Sequence, residues 1–466
     1  MALSANTVWE VRTAGLDTNG GGFVTGASGS DYSQQDAKNS GGADGSTTDA
    51  VANGTTTITS ATANFGTTIV GNIIYLQGGS GGLAAGWYEV TARASTTSIT
   101  IDRNVAAGTG ITMNIGGALI TIGQALTNMT VAEHICYVKV GTYNLTTALA
   151  TSVGGATFFN SRLTGYNTTR GDAPTGASRP TIATNGNAIN ALNIAHQGWV
   201  VSNFIIDGAG ASRGLIGVNI SALYSAIVNC KVKDFDTRGM LVPALADSII
   251  DRCEVTACTQ GIRTGGQFAI VNSVIHANTG VGIDAIASTL AYIDRCVIAN
   301  NSGASSDGIS GIVLGVSIRN CTIYGNGRDG IRNTNPYANL GCVIQNNLLV
   351  SNGGYGLNLS AVRSSVSYPE FAYNAFYNNT SGARNNVLAG AGDVTLTADP
   401  FTNAAGGDFS LNTTAGGGAA ARAVGFPGVF PGISTTGYLD IGAAQHGDPV
   451  GGGGAPRSAG MSGGIF

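Results

Sequence analysis

The sequence predicts an all-β protein built around a right-handed parallel β-helix, and three observations carry this prediction. A six-residue pattern recurs eight times between Gly198 and Asn379, at intervals of 20 to 27 residues, within or near the repeat lengths of solenoids. A glycine followed by an apolar residue recurs at a regular offset from that pattern. Over the same region no segment shows apolar spacing of three and four over helical length, so crossover helices are not expected. Parallel strands joined only by short corners stack as a solenoid with one continuous core.

The recurring pattern begins and ends with an apolar residue and has a small or amide residue in fourth position. Its copies are VVSNFI (200–205), IVNCKV (227–232), IDRCEV (250–255), IVNSVI (270–275), IDRCVI (293–298), IRNCTI (318–323), IQNNLL (344–349) and FAYNAF (371–376). Side chains alternate across a strand, so the fourth and sixth residues are predicted to share the inward face. The two residues before the fourth position are predicted to form a tight corner, where Asn and Asp tolerate unusual backbone angles.

The second signal is a Gly–apolar pair that ends each repeat, at Gly239, Gly261, Gly282, Gly308, Gly330 and Gly356. The loop before these glycines carries Asn278, Asn300, Asn301, Asn326 or Asn352, which is typical of turns. The residue after each pair is predicted to point outward in a shared column. This column consists of Leu241, Arg263, Asp284, Ser310, Arg332 and Asn358.

Composition changes divide the chain into five predicted parts. They are a Gly-rich polar leader for attachment (1–45), a small β module (46–117), the parallel β-helix (118–398), an irregular C-terminal closing region (399–449) and a Gly-rich tail (450–466). In the β module, alternating apolar runs are separated by Gly and Ser turns, a strand-and-hairpin pattern. Ile120–Leu126 is predicted to be a helix that caps the first rung, since terminal repeats need protection.

Charge and hydropathy exclude several classes of protein. The 466 residues have a net charge of −4 and only 10% charged residues, which argues against nucleic-acid binding because that requires a basic stripe. No apolar run approaches the length of a membrane span, and the N-terminus lacks a charged-then-apolar signal segment. We therefore expect neither membrane insertion nor export by a signal peptide.

The seven cysteines are predicted to be structural. Cys230, Cys253, Cys296 and Cys321 occupy the inward small-residue column, where buried reduced thiols pack as small apolar groups. A metal site is the alternative, but no C-x-x-C or His/Cys cluster supports it. We predict no metal, no cofactor and no disulfide framework.

The motifs also resemble known proteins. The rung pattern resembles the parallel β-helix repeat of pectate-lyase-like proteins over roughly residues 118–400. DPFTN, GDFSL and LDIGA resemble the C-terminal segment of bacterial and phage β-helix surface proteins. VWEVR, DTNGGGF and DYSQQDA of the leader, together with SITIDRNV, GGALITIGQAL and GYNTTRGD, resemble virion proteins of environmental tailed phages.

This resemblance implies a structural protein on the virion surface: a tail spike, a fibre or a capsid-attached appendage. The implied partners are other virion proteins, contacted through the leader, further copies of the chain, of which a trimer is the common form, and host-surface polysaccharide. Neither nucleic acid nor membrane is an expected partner. Within the leader-like motifs, Arg170-Gly171-Asp172 spells an integrin-type tripeptide, which we interpret as coincidence.

Enzymes of the pectate-lyase-like fold act on polysaccharide along one exposed sheet, so the outward column supplies the candidate catalytic residues. These are Arg263, Asp284 and Arg332. A glycosidase needs two carboxylates about 5–9.5 Å apart, and the column offers one, with a second available only from a loop at Asp307 or Asp329. A Ca²⁺-assisted lyase needs clustered carboxylates, and the densest pair is Asp234 and Asp236. The column therefore favours a non-enzymatic structural protein; the alternative is a polysaccharide depolymerase, either a lyase or a glycosidase.

Overall fold

A computed structural model describes residues 3–154, 160–243, 247–286, 290–311, 315–333, 342–359, 371–426 and 439–446. The predicted tail at 450–466 lies outside the described residues. The chain forms two compact units, unit 1 with residues 1–241 and 246–249 and unit 2 with residues 242–245 and 250–466. Each unit contains a stack of β-helical rungs, and strands Arg238–Val242 and Ser248–Asp251 lie where the two units meet in the sequence.

In unit 1 each rung contributes one strand to each of three parallel sheets. Sheet 1 contains Thr7–Val11, Ile135–Lys139, Ser161–Tyr166, Trp199–Ser202 and Ala226–Val228. Sheet 2 contains Thr142–Asn144, Thr181–Ala183, Ile205–Asp207 and Lys231–Lys233. Sheet 3 contains Leu149–Ala150, Leu192–Ile194, Ile216–Ile220 and Arg238–Val242.

The solenoid begins earlier than the sequence pattern indicated. The leader strand Thr7–Val11 pairs in parallel with Ile135–Lys139, so it is the first strand of sheet 1 rather than part of a separate leader. Gly22–Val24 pairs with the same strand in the antiparallel direction. Trp9 and Val11 are fully buried in the core of this first rung. The paired strands are more than 120 residues apart in the sequence, so no local sequence pattern predicts this pairing.

Between the first two strands of sheet 1 the chain forms a closed antiparallel barrel. Its strands are Thr47–Ala52, Thr57–Thr59, Ile73–Gln77, Gly86–Ser95, Ser98–Ile101 and Gly108–Ile115. Alternate residues such as Ile74, Leu76 and Ile99 face inward and form a core separate from that of the solenoid. Closure leaves no edge strand unpaired.

A short helix follows the barrel, as the sequence predicted. It spans Ile122–Asn128, and the Thr121 hydroxyl accepts a hydrogen bond from the backbone N–H of Gln124 as its N-cap. Asp17 accepts bonds from the Thr121 backbone and hydroxyl, which ties the helix to the leader. Ile122 and Leu126 are buried beside the first rungs, as expected for a cap.

Unit 2 repeats the three-sheet arrangement. Sheet 1 contains Gln267–Val271, Leu290–Asp294, Val316–Arg319, Val343–Gln345 and Phe371–Ala372. Sheet 2 contains Glu254–Thr256, Val274–His276, Val297–Ala299, Thr322–Tyr324, Leu348–Val350, Ala375–Tyr377 and Val394–Thr395. Sheet 3 contains Gln260–Thr264, Ile283–Asp284, Ile309–Ser310, Ile331–Asn333, Tyr355–Leu359 and Gly382–Asn385.

The corner between sheets 1 and 2 lies where the sequence placed it. One residue per rung has a left-handed backbone, at Asn203, Asn229, Arg252, Asn272, Arg295, Asn320, Asn346 and Tyr373. The next residue turns inward, and where it is Cys or Ser its side chain donates to the carbonyl two residues earlier, for example Cys321 Sγ to Arg319 at 3.0 Å and Ser273 Oγ to Val271 at 2.7 Å. Thiol and hydroxyl therefore serve the same purpose at this corner, which explains why the column mixes residue types.

The predicted register is wrong by one residue in the first copy of the pattern. Val201, not Val200, pairs with Ile227, and Ile206, not Ile205, pairs with Val232. Phe204 therefore takes the inward place predicted for Asn203, which is the corner residue instead. Residues 204–206 are three consecutive apolar residues, so the sequence does not distinguish the two possible registers: either one places an apolar residue inward.

The second corner, between sheets 2 and 3, contains a buried asparagine ladder rather than exposed turn residues. Its members are Asn278, Asn301, Asn326, Asn352 and Asn379. The Nδ2 of each one donates to the Oδ1 of the next at 2.8–2.9 Å. The left-handed residues of this corner precede the ladder, for example Asn300 and Asn378.

The glycines that open sheet 3 are required by the close stacking of the rungs. A Cβ on Gly308 would lie 2.6 Å from the carbonyl oxygen of Gly330 and 2.9 Å from Nδ2 of Asn326. Gly282 and Gly330 face equivalent contacts one rung away. A side chain at these positions would separate adjacent rungs, so the Gly–apolar signal reports backbone contact rather than a turn.

The closing region packs on the outer face of sheet 2 in unit 2. The hairpin Phe401–Asn403 with Asp408–Leu411 and the short helix Gly418–Ala421 share a core with Leu348, Val350 and Ile441. The rings of Tyr324, Phe401 and Phe409 contact one another edge to face at 5.2–5.6 Å. Among the described residues, none of the helices has the length and apolar character of a membrane span.

Candidate functional site

The structure brings the predicted outward residues of unit 2 together in one row on sheet 3. Arg263 pairs with Asp284, Asp284 with Ser310, and Arg332 with Asn358. Ile309 pairs with Ile331, which places Ser310 beside Arg332. We call the row Arg263, Asp284, Ser310, Arg332 and Asn358 the outer column. The remaining member of the predicted column, Leu241, lies in unit 1 beside Asn219.

Asp284 is buried, which corrects the prediction that it is exposed. Its side chain is only 9% exposed, whereas that of Arg263 is 39% exposed. Ser310 donates to Asp284 Oδ1 at 3.2 Å, and Arg263 Nε lies 4.0 Å from Oδ2. Adjacent rungs are about 4.8 Å apart, so Arg263 on one side and Ser310 on the other lie close to the short Asp side chain.

The two loop carboxylates considered as catalytic partners are also buried. Asp307 is fully buried and receives two hydrogen bonds from Arg328, from Nε at 2.7 Å and from Nη2 at 2.6 Å. The pKa of Asp307 is nevertheless raised, because loss of water outweighs the Arg328 interaction. These contacts use the lone pairs that a glycosidase would present to its substrate.

Asp329 lies one rung further and serves the backbone and the outer column. Its Oδ1 accepts from the Tyr355 backbone N–H at 2.7 Å, and its Oδ2 accepts from Asn358 Nδ2 at 2.7 Å. Arg332 Nε lies 3.9 Å from Oδ2. The side chain of Asp329 is almost completely buried, whereas that of Arg332 is 28% exposed.

Acidic and basic groups are therefore segregated by depth in the outer column. Asp284 in the column and Asp307 and Asp329 beside it lie beneath the surface, held by hydroxyl, guanidinium, amide or backbone donors, whereas the guanidinium groups reach outward. The same polarity holds at the first corner, where Arg252 is 40% exposed above the largely buried Asp251. The surface presented by this face carries positive ends although the chain as a whole is acidic.

The acidic residues considered for Ca²⁺ are not clustered as ligands. Asp234 and Asp207 both bind the Lys233 ammonium, at 2.9 and 2.7 Å, while Asp236 is exposed near Arg213. Across the described ranges, no group of three or more His, Cys, Asp or Glu side chains has a geometry suited to a metal ion. Asp234 therefore serves as a partner for a lysine.

The inward placement of the cysteines is confirmed. All seven are buried thiols, including Cys230, Cys253, Cys296 and Cys321 of the predicted column. Burial raises the pKa of Cys230 to about 11, and burial together with its neighbour Cys296 raises that of Cys321. Such thiols are poor nucleophiles at neutral pH, because the thiolate is the reactive form.

Sequence reasoning missed a buried charge cluster in unit 1. Glu10 is fully buried and accepts hydrogen bonds from Arg12 Nε and Arg170 Nε, each at 2.7 Å, and from the Tyr166 hydroxyl. Arg170 also donates to Asp31 Oδ2 at 2.7 Å and to Ser33 Oγ at 2.8 Å. The arginine of the integrin-type tripeptide is thus committed to an internal network.

The side chain of Asp172, in the same tripeptide, stabilises the loop that contains it. It accepts hydrogen bonds from the backbone N–H groups of Asn167, Thr168 and Thr169, which lower its pKa although partial desolvation opposes them. Arg170 and Asp172 therefore both have structural partners. The interpretation of the tripeptide as a coincidence is consistent with this arrangement.

His134, His446 and His276 each lie against a defined polar partner. His134 is fully buried between Trp9 Nε1 and the carbonyl of Ser4, and burial lowers its pKa. His446 Nδ1 lies 2.6 Å from the buried carboxylate of Asp440. His276 lies 3.1 Å from Glu254. These partners are distant in sequence or depend on a turn, so spacing alone did not reveal them.

Comparison with known proteins agrees with this architecture. Residues 261–417 match the family described as the right handed beta helix region. The crystal structure of pectate lyase Pel9A is 12% identical with a TM-score of 0.51, and the match covers 71% of this chain and 92% of that one. At this identity the similarity shows the fold alone.

Other similar structures score lower. An alginate lyase from Paenibacillus sp. str. FPU-7 is 13% identical with a TM-score of 0.40, covering 59% of this chain and 94% of that one. The enzymatically active domain of tailspike protein 2 from bacteriophage CBA120 is also 13% identical with a TM-score of 0.40, covering 72% and 52%. Scores below 0.5 carry no argument about function. The comparison with curated proteins gave no match.

The three-sheet rungs, the family match and the similarity to Pel9A agree. The chain has the pectate-lyase-like fold, a right-handed parallel β-helix.

Proposed function

We propose that this protein is a non-enzymatic structural component of a phage virion, a rigid β-helical appendage on the particle surface. The tail spike, the fibre and the capsid-attached appendage are all compatible with this role. Sequence motifs of the leader and of the closing region support the virion assignment. Because one fold hosts enzymes and inert scaffolds alike, the case against catalysis depends on the site.

The state of the carboxylates carries the proposal. Asp284, Asp307 and Asp329 are buried and hold neighbouring rungs in place through Ser310, Arg328 and Asn358. A glycosidase needs one carboxylic acid that reaches the leaving oxygen and a second that reaches the anomeric carbon or its water. Carboxylates that are buried and already hydrogen-bonded reach neither position. This face of the β-helix therefore favours a structural role over cleavage of a polysaccharide.

The expected partners follow from the same proposal. Other virion proteins contact the chain through its N-terminal region, and further copies of the chain assemble with it. In unit 1 the leader strand is built into the first rung, so attachment uses the outer surface of this region rather than a free arm. Crosslinking of purified virions, followed by peptide identification, tests both partner classes.

The direct test is incubation of the full-length protein with exopolysaccharide from the host, with the products sized by gel filtration and their new reducing ends and unsaturated uronates measured. We expect no shortening of the polymer. Depolymerisation that is lost in Asp284→Asn or Asp307→Asn would overturn the structural proposal in favour of a glycosidase or lyase. A matched variant, Asp236→Asn, removes an exposed carboxylate outside the outer column and controls for charge.

A further inference from the structure

We infer that His134 makes the start of the chain acid-sensitive: when its ring takes up a second proton, residues 3–8 detach from the first rung. We call residues 3–8 the N-terminal latch. Detachment leaves the start of strand Ile135–Lys139 without its partner, an edge with which another chain can pair. The inference goes beyond the proposed function and does not depend on it.

The two partners of the His134 ring fix it in its neutral form. The indole Nε1 of Trp9 can only donate, and it lies 3.4 Å from Nδ1 of His134. The carbonyl oxygen of Ser4 can only accept, and it lies 2.9 Å from Nε2. The ring therefore carries its single hydrogen on Nε2. A second hydrogen on Nδ1 points at the Trp9 N–H, so protonation replaces that hydrogen bond by a repulsion between two donors.

The ring is also closed to water, since His134 and Trp9 are both 0% exposed. Burial lowers the pKa of His134 from its ordinary value of 6.5, and the hydrogen bond to Ser4 opposes this change without cancelling it. The neutral ring therefore suits the closed latch, whereas the imidazolium ion is more stable where water reaches it.

No carboxylate stabilises a charged His134 ring by a hydrogen bond. Within the described residues, the hydrogen-bond partners of the ring are those on Trp9 and Ser4. The charged residues on the surrounding elements face solvent or have other partners; they are Glu10, Glu89, Glu133 and Arg162. Glu133 and Arg162 are exposed. Glu10 accepts from two arginines, and Glu89 of the barrel accepts from the Ser4 backbone N–H at 3.3 Å.

Ser4 joins the latch to both the solenoid and the barrel. Its carbonyl oxygen accepts from the His134 ring and from Thr7, through the backbone N–H at 3.0 Å and the hydroxyl at 2.6 Å. Its own N–H donates to Glu89. Beyond the latch, Glu10 is anchored in the buried charge cluster. Opening at the His134 ring therefore ends before Glu10.

Acid shifts the latch towards release. Because the pKa of His134 is lowered in the closed state, the stabilisation is fully present above pH 6.5 and is lost as the pH falls below 6.5. One group changes such an equilibrium by at most about tenfold per pH unit. Glu89 acts in the opposite direction, since burial and Asp102 raise its pKa and its protonation favours the closed state. Release in mild acid is therefore caused by His134.

Hydrogen exchange of the full-length protein tests the latch. Mass spectrometry between pH 7.5 and pH 5.5, corrected for intrinsic exchange rates, measures the opening of residues 3–8. We expect little change above pH 6.5 and a rise of several-fold, at most about tenfold, between pH 6.5 and pH 5.5. The barrel strand Ile73–Gln77 is the internal reference and should not change over this range.

His134→Gln is the decisive variant. Its amide oxygen can accept from Trp9 and its amide nitrogen can donate to Ser4, but the side chain does not titrate. We expect opening of the latch in this variant to be independent of pH. His196→Gln replaces another histidine of unit 1, which lies 3.2 Å from the Thr151 hydroxyl, and should keep the pH dependence of the parent. An equal rise in His134→Gln, or no rise in the parent protein, would overturn the inference.

A direct titration decides the question if Gln fails to hold the latch at pH 7.5. Nitrogen NMR of protein with isotopically labelled histidine reports which ring nitrogen carries the hydrogen and when the ring becomes charged. The signals of His134 are identified by their loss in His134→Gln. We expect the hydrogen on Nε2 at pH 7.5 and charging in step with the opening of residues 3–8. A ring already charged at pH 7.5, or opening without charging, would refute the role of His134.

Discussion

At the residue scale, the asparagine ladder shows why an amide recurs at the second corner. An Asn side chain carries a donor and an acceptor at its end, so each amide can satisfy the rung on both sides. Asn326 Nδ2 donates to Asn352 at 2.9 Å, and its Oδ1 accepts from Asn301 Nδ2 at 2.8 Å. The chain can therefore extend this stack without leaving a buried polar atom unpaired.

Asn326→Ala tests the ladder. The substitution leaves the carbonyl of Ile298 and donors of Asn301 buried without their partner. We expect the free energy of unfolding to fall by about 3 kcal/mol, the cost of such unpaired groups. Urea denaturation followed by circular dichroism measures it. Asn358→Ala removes two side-chain hydrogen bonds, against four for Asn326→Ala, at a half-exposed site where water replaces them, and should cost less than about 1 kcal/mol.

Asp49 gives the barrel a pH dependence. Slight desolvation acts to raise its pKa, but hydrogen bonds from Ser60, Thr47, Thr62 and Ala61 outweigh it and lower the pKa to about 2. Because the folded pKa lies below the ordinary value of 3.8, the stabilisation is present above pH 3.8 and is lost as the pH falls towards 2.

Asp49→Asn should therefore weaken the barrel at neutral pH and abolish that loss on acidification. Screening at this exposed site keeps the effect to about 1 kcal/mol or less. Hydrogen exchange of residues 47–115 between pH 6 and pH 2.5, corrected for intrinsic rates, measures it. An unchanged pH dependence in the variant would contradict the assignment, and Asp236→Asn serves as the exposed control.

At the scale of the element, the glycine column shows how sheet 3 starts. The strands begin where adjacent backbones approach so closely that a Cβ would meet the next carbonyl oxygen at 2.3–2.8 Å. Gly261, Gly282, Gly308, Gly330 and Gly356 share this requirement. Their recurrence results from steric contact between rungs rather than from positive φ angles, since none of the five has one.

Gly308→Ala is expected to destabilise the β-helix by about 3 kcal/mol, because the added methyl group forces the neighbouring rung away. Thermal unfolding measures the loss. Gly123→Ala is the matched control within a helix, where the nearest atom to the new Cβ is 3.8 Å away. It should raise stability by about 0.5–1 kcal/mol. A neutral Gly308→Ala would show that the rungs relax more easily than their packing indicates.

At the scale of the whole molecule, contacts far apart in the sequence organise the N-terminal region. Arg170 joins the first strand of sheet 1 through Glu10 and the leader through Asp31 and Ser33. Its guanidinium also lies over the ring of Tyr137 at 5.1 Å. One side chain thus connects segments separated by more than 130 residues, which makes it a determinant of how the leader is held.

Arg170→Met should release the leader. Removing one partner of a buried ion pair leaves Glu10 poorly compensated and costs about 3–5 kcal/mol. Limited proteolysis is then expected to cleave near residues 25–40 at protease concentrations that leave the parent protein intact. Adding Glu10→Gln should restore part of the stability, and Arg162→Met, at an exposed arginine, should behave as the parent. Unchanged protease resistance in Arg170→Met would contradict the role of the cluster.

The sequence by itself determined the layout of a single rung: where its strands lie, where its corner lies and which side chains point inward. Strand, corner and inward column recur in every repeat, and each is encoded within a few residues by alternation, a turn former and a small side chain. The cysteine column, the capping helix at Ile122–Asn128 and the row that joins Arg263 to Arg332 were predictable for this reason. The one-residue error at Val200 arose where three consecutive apolar residues made the local pattern ambiguous.

Only the tertiary structure decided what lies one rung away. The burial of Asp284, the ladder through Asn326 and the pairing of Thr7–Val11 with Ile135–Lys139 all depend on neighbours 20 or more residues distant. Variable loop lengths conceal those neighbours in the sequence. A periodic sequence pattern specifies a strand because the alternation of inward and outward side chains is set by residues next to one another in the chain. The burial of a carboxylate and the contacts of the asparagine ladder depend on the adjacent rungs, so they arise only when the rungs stack.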